Sequence, residues 1–135
     1  MMNFWSMFFK FQMQSETSNA LPSKARRWML AGWCLAMLAS MVLALTPVQH
    51  LQWPLFNWWD KAQHALAFAL LTGWALLLWP QRASRVGLAM LAFGAWIELA
   101  QGLTGWRFAE WADWLADAVG VLAAWVAWRV LLRSR

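Results

Sequence analysis

Four apolar stretches, each close to twenty residues long and each bounded by proline or charge, leave this chain of 135 residues few ways to fold. A hydrocarbon core about 30 Å thick takes roughly 20 helical residues to cross. The first stretch, about 28–45, holds only small or apolar side chains apart from Ser40 and is stopped by Pro47. The second, about 59–79, carries Asp60, Lys61 and His64 at its start and ends at Pro80. The third, about 86–103, is apolar until Glu98 and Gln101, and the fourth, about 111–132, has Asp113 and Asp117 in its first two turns. None alternates apolar and polar residues at period two, so strands are excluded. The connections at 80–85 and 104–110 are short. The expectation is an all-α polytopic membrane protein, an antiparallel bundle of four transmembrane helices over 28–132.

Composition agrees. Hydrophobic residues make up 62% of the chain and charged residues 13%, against about 45–50% and about 25% in soluble domains. Too few polar side chains exist to clothe a globule, which argues against a soluble enzyme and against a disordered chain. The 14 Trp and absent Tyr suit membrane–water interfaces, where indole rings gather. The lone Cys34 excludes an internal disulfide and a cysteine metal cluster. The net charge of +5, in a chain this apolar, points to the lipid bilayer as partner and away from nucleic acid. No cofactor is expected, and the oligomeric state is open.

Residues 1–27 differ in kind. Met1 to Met13 is aromatic-rich with the single charge Lys10, and 14–27 is polar and reads as a flexible stretch. This cytoplasmic tail reads equally as an interfacial anchor or as the product of an early start codon. Lys24, Arg26 and Arg27 resemble the basic flank of a signal peptide. The apolar run that follows exceeds the usual ~7–15 residues and lacks a good cleavage site, so a retained anchor is expected.

Positive charge sets orientation. With the N-terminus cytoplasmic, Lys10, Lys24, Arg26, Arg27, Arg82, Arg85, Arg129, Arg133 and Arg135 lie inside, and of the 11 basic residues only Lys61 and Arg107 face out. Both termini are then in the cytoplasm. Asp60, Glu98, Glu110, Asp113 and Asp117 fall on or just beneath the outer face, leaving Glu16 inside. At 1.5 Å per residue, Glu98 stands about 20 Å above Arg85 and Asp117 about 18 Å above Arg129, with His64 about 6 Å below Asp60. His64, Glu98 and Asp117 are therefore expected at one level.

Helical spacing places Asp60, His64 and Phe68 on one face, Gly94, Glu98 and Gln101 on a second, and Asp113, Asp117, Gly120 and Ala124 on a third. Small residues beneath the carboxylates let helices approach closely. If the three stripes face one another, they line an outward pocket of His64, Glu98, Gln101 and Asp117, rimmed by Asp60, Lys61, Arg107, Glu110 and Asp113. Ionisable groups in spans usually mark a site or pathway. The competing reading is structural, with Arg107 neutralising Asp113 or Glu98 and the rim forming solvated ion pairs. His50 reads as a bystander in a loop. Trp58, Trp59, Trp106, Trp111 and Trp114 read mainly as an outer aromatic belt.

The ordered set Asp60-Lys61-x-x-His64-x-x-x-Phe68, Glu98-x-x-Gln101, Arg107 and Asp113-x-x-x-Asp117-x-x-Gly120 resembles the VanZ-like family of small integral membrane proteins over roughly residues 35–130. That family usually has Asn where Asp117 stands and often Gly where Ala124 stands. The resemblance implies a link to low-level resistance against the glycopeptide teicoplanin, which acts on cell-wall precursor outside the membrane.

Three functions compete. The first is a non-catalytic membrane protein that binds or modulates an extracytoplasmic envelope ligand, such as a lipid-linked cell-wall precursor, a lipid headgroup or another amphiphile. Lys61 and Arg107 would meet phosphate or carboxylate, and the acids would meet amines or hydroxyls. The second is an intramembrane hydrolase or transferase with His64 as general base, a carboxylate such as Asp117 orienting it, and Glu98 as acid. No Ser or Thr stands beside His64, Thr104 being the nearest. In that setting one His with several carboxylates could also hold a divalent metal, although the residues by themselves assign none. The third, a small transporter, ranks lowest because Thr72 and Ser40 are the only polar residues in the lower halves of the spans.

Overall fold

The computed structural model describes residues 22–47, 60–106 and 109–133. These are 92% helical, with no strand among them. Helix α1 runs over Ser23–Leu45, α2 over Asp60–Leu78, α3 over Ala83–Thr104 and α4 over Trp111–Arg133. All four are long and apolar enough to cross a membrane. The tail before residue 22, His50, the Trp58–Trp59 pair, Arg107 and the Asp60 side chain lie outside the description.

Two boundaries correct the sequence reading. Helix α1 starts five residues earlier than expected, so 23–27 are helical and not part of a flexible stretch. Pro22, at φ −49°, stands before the first helical residue and its carbonyl accepts from the Arg26 N–H; a proline at a helix start loses no hydrogen bond. The second correction concerns 80–85, expected as a loop. Pro80–Arg82 form a 3-10 turn that leads directly into α3, because proline is tolerated at a first helical position while it ends the preceding helix. The far end of α3 closes on Gly105, whose φ of +78° is a left-handed cap that glycine adopts without cost.

Helix α2 is the centre of the packing. Its most extensive partner is α4, α3 packs next on α4, and α1 lies against α2 and α3. The close α2–α4 approach depends on Gly120, where a β-carbon would collide with the backbone carbonyl of Ala65 and crowd the Ala69 nitrogen. Phe68, Leu71, Ala75, Leu76, Val86, Met90, Ile97 and Val121 form the apolar core. Helix α1 buries no residue, and is tied on by the Trp33 indole N–H, which donates to the Leu71 carbonyl at 3.0 Å. Large apolar side chains such as Leu70, Leu88, Leu103 and Val119 are exposed, whereas Thr72, Glu98, Gln101, Asp113 and Asp117 are buried. Apolar outside and polar inside is the pattern of a helix bundle in lipid.

Candidate functional site

The buried polar side chains other than Thr72 gather where α2 and α4 begin and α3 ends. Each arrives there through the helical stripe that carries it. On α4 the buried residues Asp113, Asp117, Gly120 and Val121 share one face. On α3 the buried set includes Gly94, Glu98 and Gln101, and α2 presents His64 one turn before buried Phe68.

At the surface of this cluster, Lys61 Nζ donates to Glu110 Oε2 at 3.1 Å and to Asp113 Oδ1 at 3.0 Å. The expected rim ion pair therefore forms, with Glu110 exposed. Asp113, read as a rim residue, is only 6% exposed. It stands four residues before Asp117 on the same helix face, so the rotation that buries one carboxylate turns the other inward.

One turn deeper, His64 Nδ1 lies 2.9 Å from Asp117 Oδ1, the pairing anticipated from sequence. Asp117 is completely buried. Its second oxygen is accommodated by Gly94, where a β-carbon would stand 2.7 Å from Oδ2. Glu98, 8% exposed, accepts the backbone N–H of Glu110 on Oε2 at 2.8 Å. One ligand atom from each of His64, Glu98 and Asp117 falls within 4.8 Å of the others.

Gln101 is buried as expected, but its side chain also serves α1. Its Nε2 donates to the Ala44 carbonyl at 2.9 Å. The Trp106 indole donates similarly to Leu45 at 3.2 Å. Carbonyls in the last turn of a helix lack intrahelical partners, so these two side chains complete the end of α1. Nothing in the spacing of the sequence disclosed that role. Trp114, read as part of the aromatic belt, donates across the bundle to the Leu91 carbonyl at 3.1 Å, while Trp111 is exposed.

The cluster is not closed by its own contacts. Glu98 Oε1, Asp117 Oδ2 and Gln101 Oε1 are buried without a hydrogen-bond partner. Buried acceptors are nearly always satisfied, and a carboxylate at the centre of a span costs about 2.5–3.5 kcal/mol on insertion scales, less near the interface. Among the described residues no Lys or Arg pairs with Glu98 or Asp117.

The opposite end holds a cavity of about 530 Å³ lined by residues that include Arg82, Arg85, Trp128 and Arg129. Arg129 stacks over the Trp125 ring at 4.5 Å. These arginines entered the sequence reading only as determinants of orientation.

Comparison with protein-family profiles, with curated proteins and with solved structures returns no match.

Proposed function

We propose that the chain is a VanZ-like integral membrane protein, non-catalytic, that binds or modulates an extracytoplasmic envelope ligand through the His64–Glu98–Asp117 cluster. In this reading the helices alternate in direction, both termini are cytoplasmic, and the cluster lies under the outer face. The alternation is supported by contacts at one level between the ends of α1 and α3 and the starts of α2 and α4, through Gln101–Ala44, Glu98–Glu110 and Lys61–Asp113. The orientation is supported by the distribution of Lys and Arg.

The observation that carries the proposal is the pair of buried carboxylates, each with one unpartnered oxygen, supplied by different helices beside an imidazole. Such acceptors suit the amines or hydroxyls of a lipid-linked cell-wall precursor or an amphiphilic glycopeptide. The Glu98→Gln variant tests it: detergent-solubilised yield and melting temperature are measured beside teicoplanin susceptibility of cells carrying the protein. Stability at or above wild type with a lost susceptibility phenotype supports a ligand role. Collapse of yield and melting temperature makes Glu98 a structural tie and sinks the proposal.

The 2.9 Å contact between His64 Nδ1 and Asp117 Oδ1 favours a second reading, an intramembrane hydrolase or transferase acting on a lipid-linked substrate. A carboxylate in that position orients an imidazole as general base. Thr104, the nearest hydroxyl nucleophile proposed from sequence, donates instead to the Gln101 carbonyl at 2.8 Å. Water would then be the nucleophile. Turnover lost in His64→Ala with folding intact distinguishes this reading from simple binding.

A further inference from the structure

We propose that His64, Glu98 and Asp117 form a binding site for a divalent transition-metal ion of the zinc or manganese type. The residues come from three helices, and one ligand atom of each already lies within 4.8 Å of the others. His64 Nδ1 and Asp117 Oδ1 stand 2.9 Å apart, and two ligands of a tetrahedral ion bound at about 2.05 Å stand about 3.3 Å apart, so an ion is admitted by a widening of a few tenths of an ångström. Glu98 supplies the third ligand atom from α3.

Independent observations suit a cation at this point. Asp117 is fully buried and Glu98 is 8% exposed, yet Asp117 Oδ2 and Glu98 Oε1 have no partner. Among the described residues the lysine near the cluster, Lys61, is engaged by Glu110 and Asp113. The surroundings are also those of a supported ligand set. The Glu110 backbone N–H holds Glu98 Oε2 and leaves Oε1 for an ion, and Gly94 makes room for the Asp117 carboxylate; such outer contacts orient metal ligands.

Donor chemistry narrows the ion. Imidazole suits zinc and iron, and carboxylates extend the range to manganese, whereas an all-oxygen set would favour magnesium or calcium. Three protein ligands leave a coordination position open, available to water or to a phosphate or carboxylate oxygen. The site rests on the proposed function only for the side from which the ion enters.

The full-length protein in detergent, stripped with EDTA and dialysed, is titrated with Zn²⁺ and separately with Mn²⁺, following heat of binding, bound metal per chain and melting temperature. The expected result is one ion per chain and a melting temperature raised by roughly 10 °C at a hundredfold excess over Kd. Because outer contacts alone are worth about 10–100-fold in metal affinity, His64→Ala, Asp117→Asn and Glu98→Gln are each expected to weaken binding by about 100-fold or more. His50→Ala is expected to retain it. The near-isosteric Asp117→Asn and Glu98→Gln variants carry the test if His64→Ala does not fold. Absence of saturable binding by the wild type overturns the site, as does wild-type affinity in all three ligand variants or loss of binding in His50→Ala. A Glu98→Gln susceptibility phenotype in a protein that binds no metal would leave the envelope-ligand reading standing alone.

Discussion

The Asp117 carboxylate rests on Gly94, so close that a β-carbon on the glycine would stand 2.7 Å from Oδ2. A helix face that accepts a buried carboxylate must be bare at that point. The arrangement couples α3 to α4 at the same place where Asp117 meets His64 of α2.

Gly94→Ala is accordingly expected to destabilise the protein by about 1–3 kcal/mol, the usual cost of overpacking. In an Asp117→Ala background the same change should cost little, since the crowded oxygen is gone. A double-mutant cycle on unfolding in detergent reads the difference. Additive effects of the two substitutions would show that the contact carries no energy.

A different glycine tests the packing of α2 on α4. At Gly120 the obstacle is the Ala65 backbone, which cannot rotate away as a side chain can. Gly120→Ala should therefore cost at least as much as the upper end of that overpacking range, about 3 kcal/mol, or force the helices apart. Gly73 is the control: a β-carbon there meets nothing within 4 Å, so Gly73→Ala should be neutral or stabilise by up to ~1 kcal/mol through helix propensity. Equal melting temperatures for the two variants would contradict the described α2–α4 interface.

Orientation is open to chemical labelling. Cys34 is the only cysteine, so a Cys34→Ser background accepts single reporters at Ala109 and Gln81, both exposed and at opposite ends of the bundle. Ala109→Cys should react with a membrane-impermeant maleimide on intact cells or spheroplasts, and Gln81→Cys only after permeabilisation. The reverse pattern would place the cluster on the cytoplasmic side and remove its access to envelope ligands.

Much of this arrangement could be read from spacing. Asp113, Asp117 and Gly120 recur at helical intervals, as do Gly94, Glu98 and Gln101, and each set lies buried on one face of its helix. The depth at which Asp113 sits, below the rim, and the bonds from Gln101 and Trp106 to the end of α1 could not be read in this way. They depend on how far each helix is rotated and how deeply it is set against its neighbours, quantities that periodicity leaves free.

Four helices long and apolar enough to cross a membrane are legible in the residues alone, because hydropathy is a local property and the span length it must fill is fixed by the thickness of the hydrocarbon layer. The sequence also determined which residues share a helix face. Packing in three dimensions was needed to show that α2 and α4 touch at Gly120, that Lys61 is engaged by Asp113 and Glu110, and that two carboxylate oxygens near His64 are buried without partners. Those outcomes follow from the relative rotation and depth of packed helices, and the oxygens they leave without hydrogen-bond partners are what the proposed site rests on.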